Sequence, residues 1–200
     1  MWLFARGKAK SASAAPKPDK LSSLATVSPR LAEQFHLNPT GKLGLCLRAH
    51  SGSKKDTSPK LTESDLEMLA NSALGTSAVT QGTEFKATQD QYQYLWLVLR
   101  NTDLGDLLSA TSKVVTVIKE KGKKDLLVAA LIPFRADEGK EANWIYEFDR
   151  DRFYPFVPET EPRRNNQLEI EMAEKTEKEM PVEQQLERWR AIWGAPLDAI

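Results

Sequence analysis

Two histidines, His36 and His50, and one cysteine, Cys46, are the only soft metal ligands and ready nucleophile or base partners in 200 residues. One cysteine excludes an internal disulfide framework and any cysteine-rich zinc or iron–sulfur centre. Glu147, Asp149 and Asp151 are close enough in sequence to approach a cation, but they flank a polar turn between two apolar runs, where solvated acids are expected. Gly41-Lys-Leu-Gly44 is too short for a phosphate loop and precedes a strand instead of a helix. No GxGxxG, Walker lysine loop, paired-histidine motif or nucleophile elbow is present. These observations argue against an enzyme. They imply no cofactor, no metal and no small-molecule substrate.

The remaining candidates are recognition chemistry. Phe153-Tyr-Pro-Phe-Val-Pro158 packs three aromatics and two prolines into six residues. Proline cannot donate to a ladder, so this run belongs at a sheet edge. Arg163 and Arg164 follow, and Trp189 and Trp193 share a stripe at helical spacing. Together Phe153, Tyr154, Phe156, Arg163, Arg164, Trp189 and Trp193 form a candidate partner-binding surface, the guanidinium groups facing an acidic helix. The alternative is that the arginines pair internally with the Glu-rich stretch 169–179. A second candidate is Trp2, Leu3 and Phe4 beside Arg6, Lys8 and Lys10, which suits weak contact with an anionic membrane surface. A frayed terminus or docking on a protein would use the same residues. A secretory signal puts its charge before a longer apolar region, so export is not expected.

Charge is balanced overall, with 28 Lys+Arg against 28 Asp+Glu, but it is unevenly spread. Residues 1–60 carry 11 Lys/Arg against 3 Asp/Glu, residues 61–134 carry 7 against 9, and residues 135–200 carry 10 against 16. A basic beginning and an acidic end can attract each other within a molecule, between molecules or through partners. The basic excess lies mainly in a tail and a loop, so nucleic-acid binding is not expected. No apolar run approaches the ~20 residues of a bilayer span. The expected location is the cytoplasm, or the periphery of the inner face of the cell membrane.

The elements that must position these residues follow from periodicity. At 40% hydrophobic residues the chain can bury a real core. Residues 1–20 read as a flexible basic tail, and 21–197 as one α+β domain. Ser28-Pro29 predicts a helix over 29–36, after a turn or short helix carrying Leu21, Leu24 and Val27. Lys42–Ala49 alternates as a strand, which places Cys46 on a sheet face as a structural thiol. His50–Ser58 is a polar loop, and Ser58-Pro59 can cap a helix running to Leu74, which Gly75 stops. Thr76–Thr80 and Thr83–Thr88 suit strands. Tyr92–Arg100 is the strongest strand, with Tyr92, Tyr94, Trp96 and Val98 on one face, read mainly as core. Asp103 caps a helix to 120, on the stripe Leu104, Leu107, Leu108, Thr111, Val114, Val115 and Ile118. Asp125–Phe134, ended by Pro133, and Asn143–Phe148 are strands. Segment 167–181 mixes strand and helix signals and is charged, helical or partly disordered. Pro181–Trp193 predicts a final helix. The sheet should be mixed and mostly antiparallel, flanked by helices, with a parallel crossover open between 92–100 and 126–134.

Several segments, in order, resemble the PspAB family of PspA-associated proteins. They are Tyr92-Gln-Tyr-Leu-Trp-Leu-Val-Leu-Arg100, Phe153-Tyr-Pro-Phe-Val-Pro158, Arg163-Arg-Asn-Asn-Gln-Leu-Glu169, and Met180-Pro-Val-Glu with Leu186-Glu-Arg-Trp189 and Ile192-Trp-Gly-Ala-Pro196. Leu31–Phe35, Asn38-Pro-Thr-Gly41 and Gly44-Leu-Cys46 fall where that family has similar residues. The resemblance spans roughly 21–197. It implies a non-catalytic accessory or adaptor role in the envelope-stress (phage-shock) response, beside PspA, a coiled-coil membrane-remodelling protein, and carries no catalytic residues. The charged tract Met172–Glu179 and the Lys/Ser-rich loop at 50–60 depart from the family pattern. The other function class open to the sequence is a general chaperone-like or regulatory binding domain, with an unrecognised enzyme last.

Overall fold

The computed structural model describes residues 20–50, 60–80 and 82–200. Helix α1 (Ser23–Phe35) buries Leu24, Val27 and Leu31 at helical spacing. Pro29 was expected at the first helical position, but it lies inside this helix, which starts six residues earlier after a short 3-10 turn. The lost proline hydrogen bond is outweighed by burial of the stripe on both sides of it. His36 closes the helix in the left-handed region, its N–H donating to the Ala32 carbonyl. Strand β1 (Leu37–Pro39) follows, three residues with no alternation long enough to read. Gly41, at φ 75°, turns the chain into β2 (Lys42–Arg48); a Cβ there would meet the Asn101 carbonyl at 2.9 Å.

Helix α2 (Glu63–Thr80) is capped by Thr62, not Ser58. The Thr62 hydroxyl accepts from the Asp65 N–H, while Thr62 N–H and hydroxyl donate to the Asp65 carboxylate. Ser58 and Pro59 lie outside the described residues. Gly75 (φ 54°), expected to stop the helix, kinks it instead; helical backbone resumes, so the strand predicted over 76–80 does not form. Propensity of β-branched residues is a weak prior against local context. Strand β3 (Glu84–Gln89) and β4 (Tyr94–Arg100) follow. Asp103 accepts from Asp106 N–H at 2.8 Å and opens α3 (Leu104–Glu120), which buries the whole predicted stripe and Ala110 besides.

Strand β5 (Leu127–Ala136) runs through Pro133, which does not end it. The Pro133 carbonyl accepts from Thr40 N–H, so only its missing donor is absent from the pairing. Then come β6 (Glu141–Glu147), β7 (Arg152–Phe156) and α4 (Asn166–Thr176), which settles the ambiguous segment as helix. Asn165 caps α4 by accepting from Leu168 N–H.

The strands form one sheet in the order β3-β4-β2-β5-β6-β7, with β1 beside β5, and every described strand pairing is antiparallel. β2 lies between β4 and β5, so those two run in the same direction joined through α3, without pairing. Leu43, Leu45, Leu95, Leu97, Ile132, Phe134, Trp144 and Phe153 point to the face covered by α1, α2, α3 and, beside β7, α4. The opposite face presents Cys46, Trp96, Val98, Leu131, Ile145, Tyr154 and Phe156. No helix covers it. Pro181–Glu183 closes the free edge of β7, with Phe153 N–H donating to Pro181 and Glu183 N–H to Phe153. Residues 184–200 then cross the second face as an irregular strap.

This strap replaces the helix predicted over 181–193, of which only a 3-10 turn, Leu186–Arg188, is present. Its backbone groups are taken by other partners. The Trp189 indole N–H donates to the Glu183 carbonyl at 2.9 Å, and the Trp189 carbonyl accepts from Arg164 at 2.8 Å. A stripe at spacing four is equally served by a chain laid across a sheet, one apolar side chain at a time.

Candidate functional site

The strap and the rim of β4 build an aromatic surface on the side of the sheet opposite the four α-helices. Trp189 stacks on Tyr154, with centroids 6.4 Å apart and planes within 15°, and Trp193 meets Phe156 edge-on at 4.9 Å. Further along, Leu197 passes over Gly44, where a Cβ would lie 2.8 Å from its methyl group and 2.9 Å from the Trp96 ring. Gly44 therefore makes room for the strap to reach the sheet centre. Lys42 fastens that end by donating to the Leu197 carbonyl at 3.0 Å and the Asp198 carboxylate at 2.9 Å. The hydrogen-bonded lysine holds Asp198 below the usual carboxylate range.

Arg164 fastens the other end. Its Nε donates to both oxygens of Glu169 at 2.8 Å, its Nη1 to Trp189, and its Nη2 to Pro155 at 3.3 Å; the guanidinium lies over the Phe156 ring, 5.1 Å from the centroid. Glu169 is 1% exposed and also accepts from Val157 N–H at 2.7 Å. Burial raises its carboxyl above the ordinary value, against the opposing pull of Arg164 and that N–H. Of the two expectations for this arginine, internal pairing describes it. Arg163 is exposed.

Between the strap and β4 lies a groove of about 300 Å³, with Asp90, Tyr92, Tyr94, Trp96, Arg190 and Trp193 among its lining residues. Asp90 shapes one wall, accepting from Tyr92 N–H at 2.8 Å, Tyr94 N–H at 2.9 Å and the Trp96 indole at 2.8 Å. Tyr92 and Tyr94, expected mainly as core, are 63% and 37% exposed. Tyr92 lies in the turn before β4, beyond the ladder that ends at Tyr94, so alternation overreached the strand. Cys46, 4% exposed on the groove floor, has its thiol pushed up to about 12 by burial and the nearby Asp90 charge. It is a poor nucleophile.

The sequence model of the PspAB family, PspA associated protein B, matches residues 2–197. This chain belongs to the PspAB family. Membership carries a PspA-associated accessory role. No curated protein and no solved structure gives a significant match. Among the described residues no group of three or more His, Cys, Asp or Glu is placed to hold a metal, and no helix is long and apolar enough to cross a membrane.

Within this PspAB chain, Tyr154, Phe156, Arg164, Trp189 and Trp193 of the expected surface lie together in two layers, whereas Phe153, one residue out of phase along β7, points to the helix-covered face against Trp144 and Tyr146. Phe153, Tyr154 and Phe156 are buried in β7, an edge strand as expected. Trp189 and Trp193 cover the latter two and are half-buried, Arg164 ties the layers together, and Arg163 faces solvent. Tyr92, Tyr94 and Arg190 were missed, although a Tyr-Gln-Tyr run beside an acid that turns the chain is a legible signal. Trp2, Leu3, Phe4, Arg6, Lys8 and Lys10 lie outside the described residues, so the membrane expectation has no structural counterpart here.

Proposed function

We propose that this PspAB chain acts beside PspA as a non-catalytic adaptor, and that it does so by protein–protein contact at the aromatic surface along the strap. The supporting observation is the exposure of Tyr92 and Tyr94 next to the half-covered Trp193, at a groove rimmed by Arg190 and Glu147. Tyrosine, tryptophan and arginine around an apolar recess are the composition that carries binding energy in protein interfaces. Tyr154, Phe156 and Arg164 support this surface from beneath, with Phe153 behind them on the other face of β7, while Trp189, Trp193 and Arg163 add to its outer side. The partner is a PspA-type coiled coil, whose helix offers the apolar ridge such a groove receives.

Titrating the full chain with a purified PspA-type coiled-coil protein tests the proposal. Binding is expected, and Tyr92→Ser with Tyr94→Ser should weaken it at least tenfold, about 1.4 kcal/mol, without lowering the melting temperature. Binding unaffected by the pair would remove this surface from the contact.

A further inference from the structure

The outer side of α2 carries a recess of about 570 Å³ that the strap surface does not use. It lies between α2 and the C-terminal end of α3, and Lys60, Met68, Leu69, Ser72, Lys121 and Lys123 line most of it. Met68 is 61% exposed, an unusual state for a large apolar side chain. The acid in the recess, Asp65, is bound to its own cap by Thr62. None of the three lysines forms a salt bridge among the described residues, although the Lys123 charge acts on Asp65 from a distance. The result is an apolar floor with a basic rim.

The opposite edge of the molecule presents the complementary chemistry. Helix α4 buries Glu169, Met172, Ala173 and Thr176, which turns Gln167, Ile170, Glu171 and Glu174 outward at spacings of three and four. Ile170 is 38% exposed, and Leu186, which lines the same shallow groove of about 230 Å³, is 51% exposed. Glu171 and Glu174 have no cationic partner among the described residues. This is an apolar strip with an acidic rim. Met68, Ile170 and Leu186 are three of the five large hydrophobics exposed among the described residues, so these two patches hold most of that exposure.

α2 packs beside β3 and α4 beside β7, the two edges of the sheet. The patches therefore cannot meet within one molecule. We propose that the chain self-associates head to tail, the acidic face of α4 in one copy seated in the Lys60–Met68–Lys123 recess of the next. Such a contact is heterologous, because each copy keeps one patch free, so it continues into a chain or closes into a ring and does not stop at a symmetric pair. The part of the chain from 61 onward carries 17 Lys/Arg against 25 Asp/Glu, which disfavours a nucleic acid or anionic lipid as occupant of three lysines on an otherwise acidic body. An acidic helix of a second copy meets the lysines and the methionine together.

Sedimentation velocity of the full chain across a concentration series tests this, at low and at 0.5 M salt. The average mass should rise with concentration at low salt, pass beyond a dimer, and fall back as salt screens the contact. Lys121→Glu with Lys123→Glu should raise the dissociation constant at least tenfold, and so should Glu171→Lys with Glu174→Lys. Mixing the two folded double variants is the decisive arm. Each then offers one intact patch of its original sign and one reversed patch, and the reversed recess fits the reversed helix. The mixture should recover alternating assemblies, equal in the two variants and growing beyond a pair, that neither variant forms alone. A monomer at every concentration overturns the proposal. So does self-association that either reversal leaves intact, or a mixture that stays monomeric. Anionic vesicles serve as the competing occupant: lysine-dependent vesicle binding by a chain that remains monomeric also overturns it.

Discussion

Arg163 and Arg164 are adjacent and chemically identical, yet the fold gives them opposite roles. Arg164 satisfies a buried carboxylate, a strap carbonyl and a β7 carbonyl, while Arg163 faces water. Arg164→Glu leaves Glu169 buried beside a second negative charge, so it should cost about 3–5 kcal/mol. Arg163→Glu should stay within about 0.5 kcal/mol. Chemical denaturation of both variants checks this, and equal losses would contradict the assignment. Sequence could offer both outcomes for this pair but could not choose between them, because the choice depends on Glu169 facing inward. Its inward face comes from the Met172–Ala173–Thr176 stripe of α4, in a segment whose alternation of Leu168, Ile170 and Met172 equally suggests a strand.

Among the elements, α3 was legible in full because cap, stripe and C-terminal lysines all agree on one helix. The strap was not, since its apolar spacing fits a helix and the groups that unwind it, Arg164 and Glu183, come from other parts of the fold. Its far end is held by Lys42 and Asp198. Because Asp198 is held below its ordinary value, the folded state binds this proton less tightly than the unfolded chain does. The contribution of the pair is therefore complete above the ordinary carboxylate range and fades as pH falls through the lowered value. Tryptophan emission followed through acid titration should show the strap loosening in that window. Asp198→Asn should show the loosened signal already at neutral pH. Identical acid profiles for the two chains would contradict the clasp.

At the scale of the whole molecule, one sheet separates two kinds of cover. Helices α1, α2, α3 and α4 pack on one face, and a strap of aromatic and aliphatic side chains packs on the other. Strand order and direction were partly legible, since hairpin-length connections force antiparallel neighbours. The insertion of β2 between β4 and β5 was not, because a crossover through α3 fits either arrangement. The thinly covered face also bears the exposed tyrosines, and it is there that the PspAB chain is argued to meet PspA. Hydrogen exchange of the full chain with and without a purified PspA-type protein tests that claim most directly. New protection is expected over 90–96 and 189–193, with the amides of α3 unchanged. A stable complex whose protection leaves both segments untouched would contradict it.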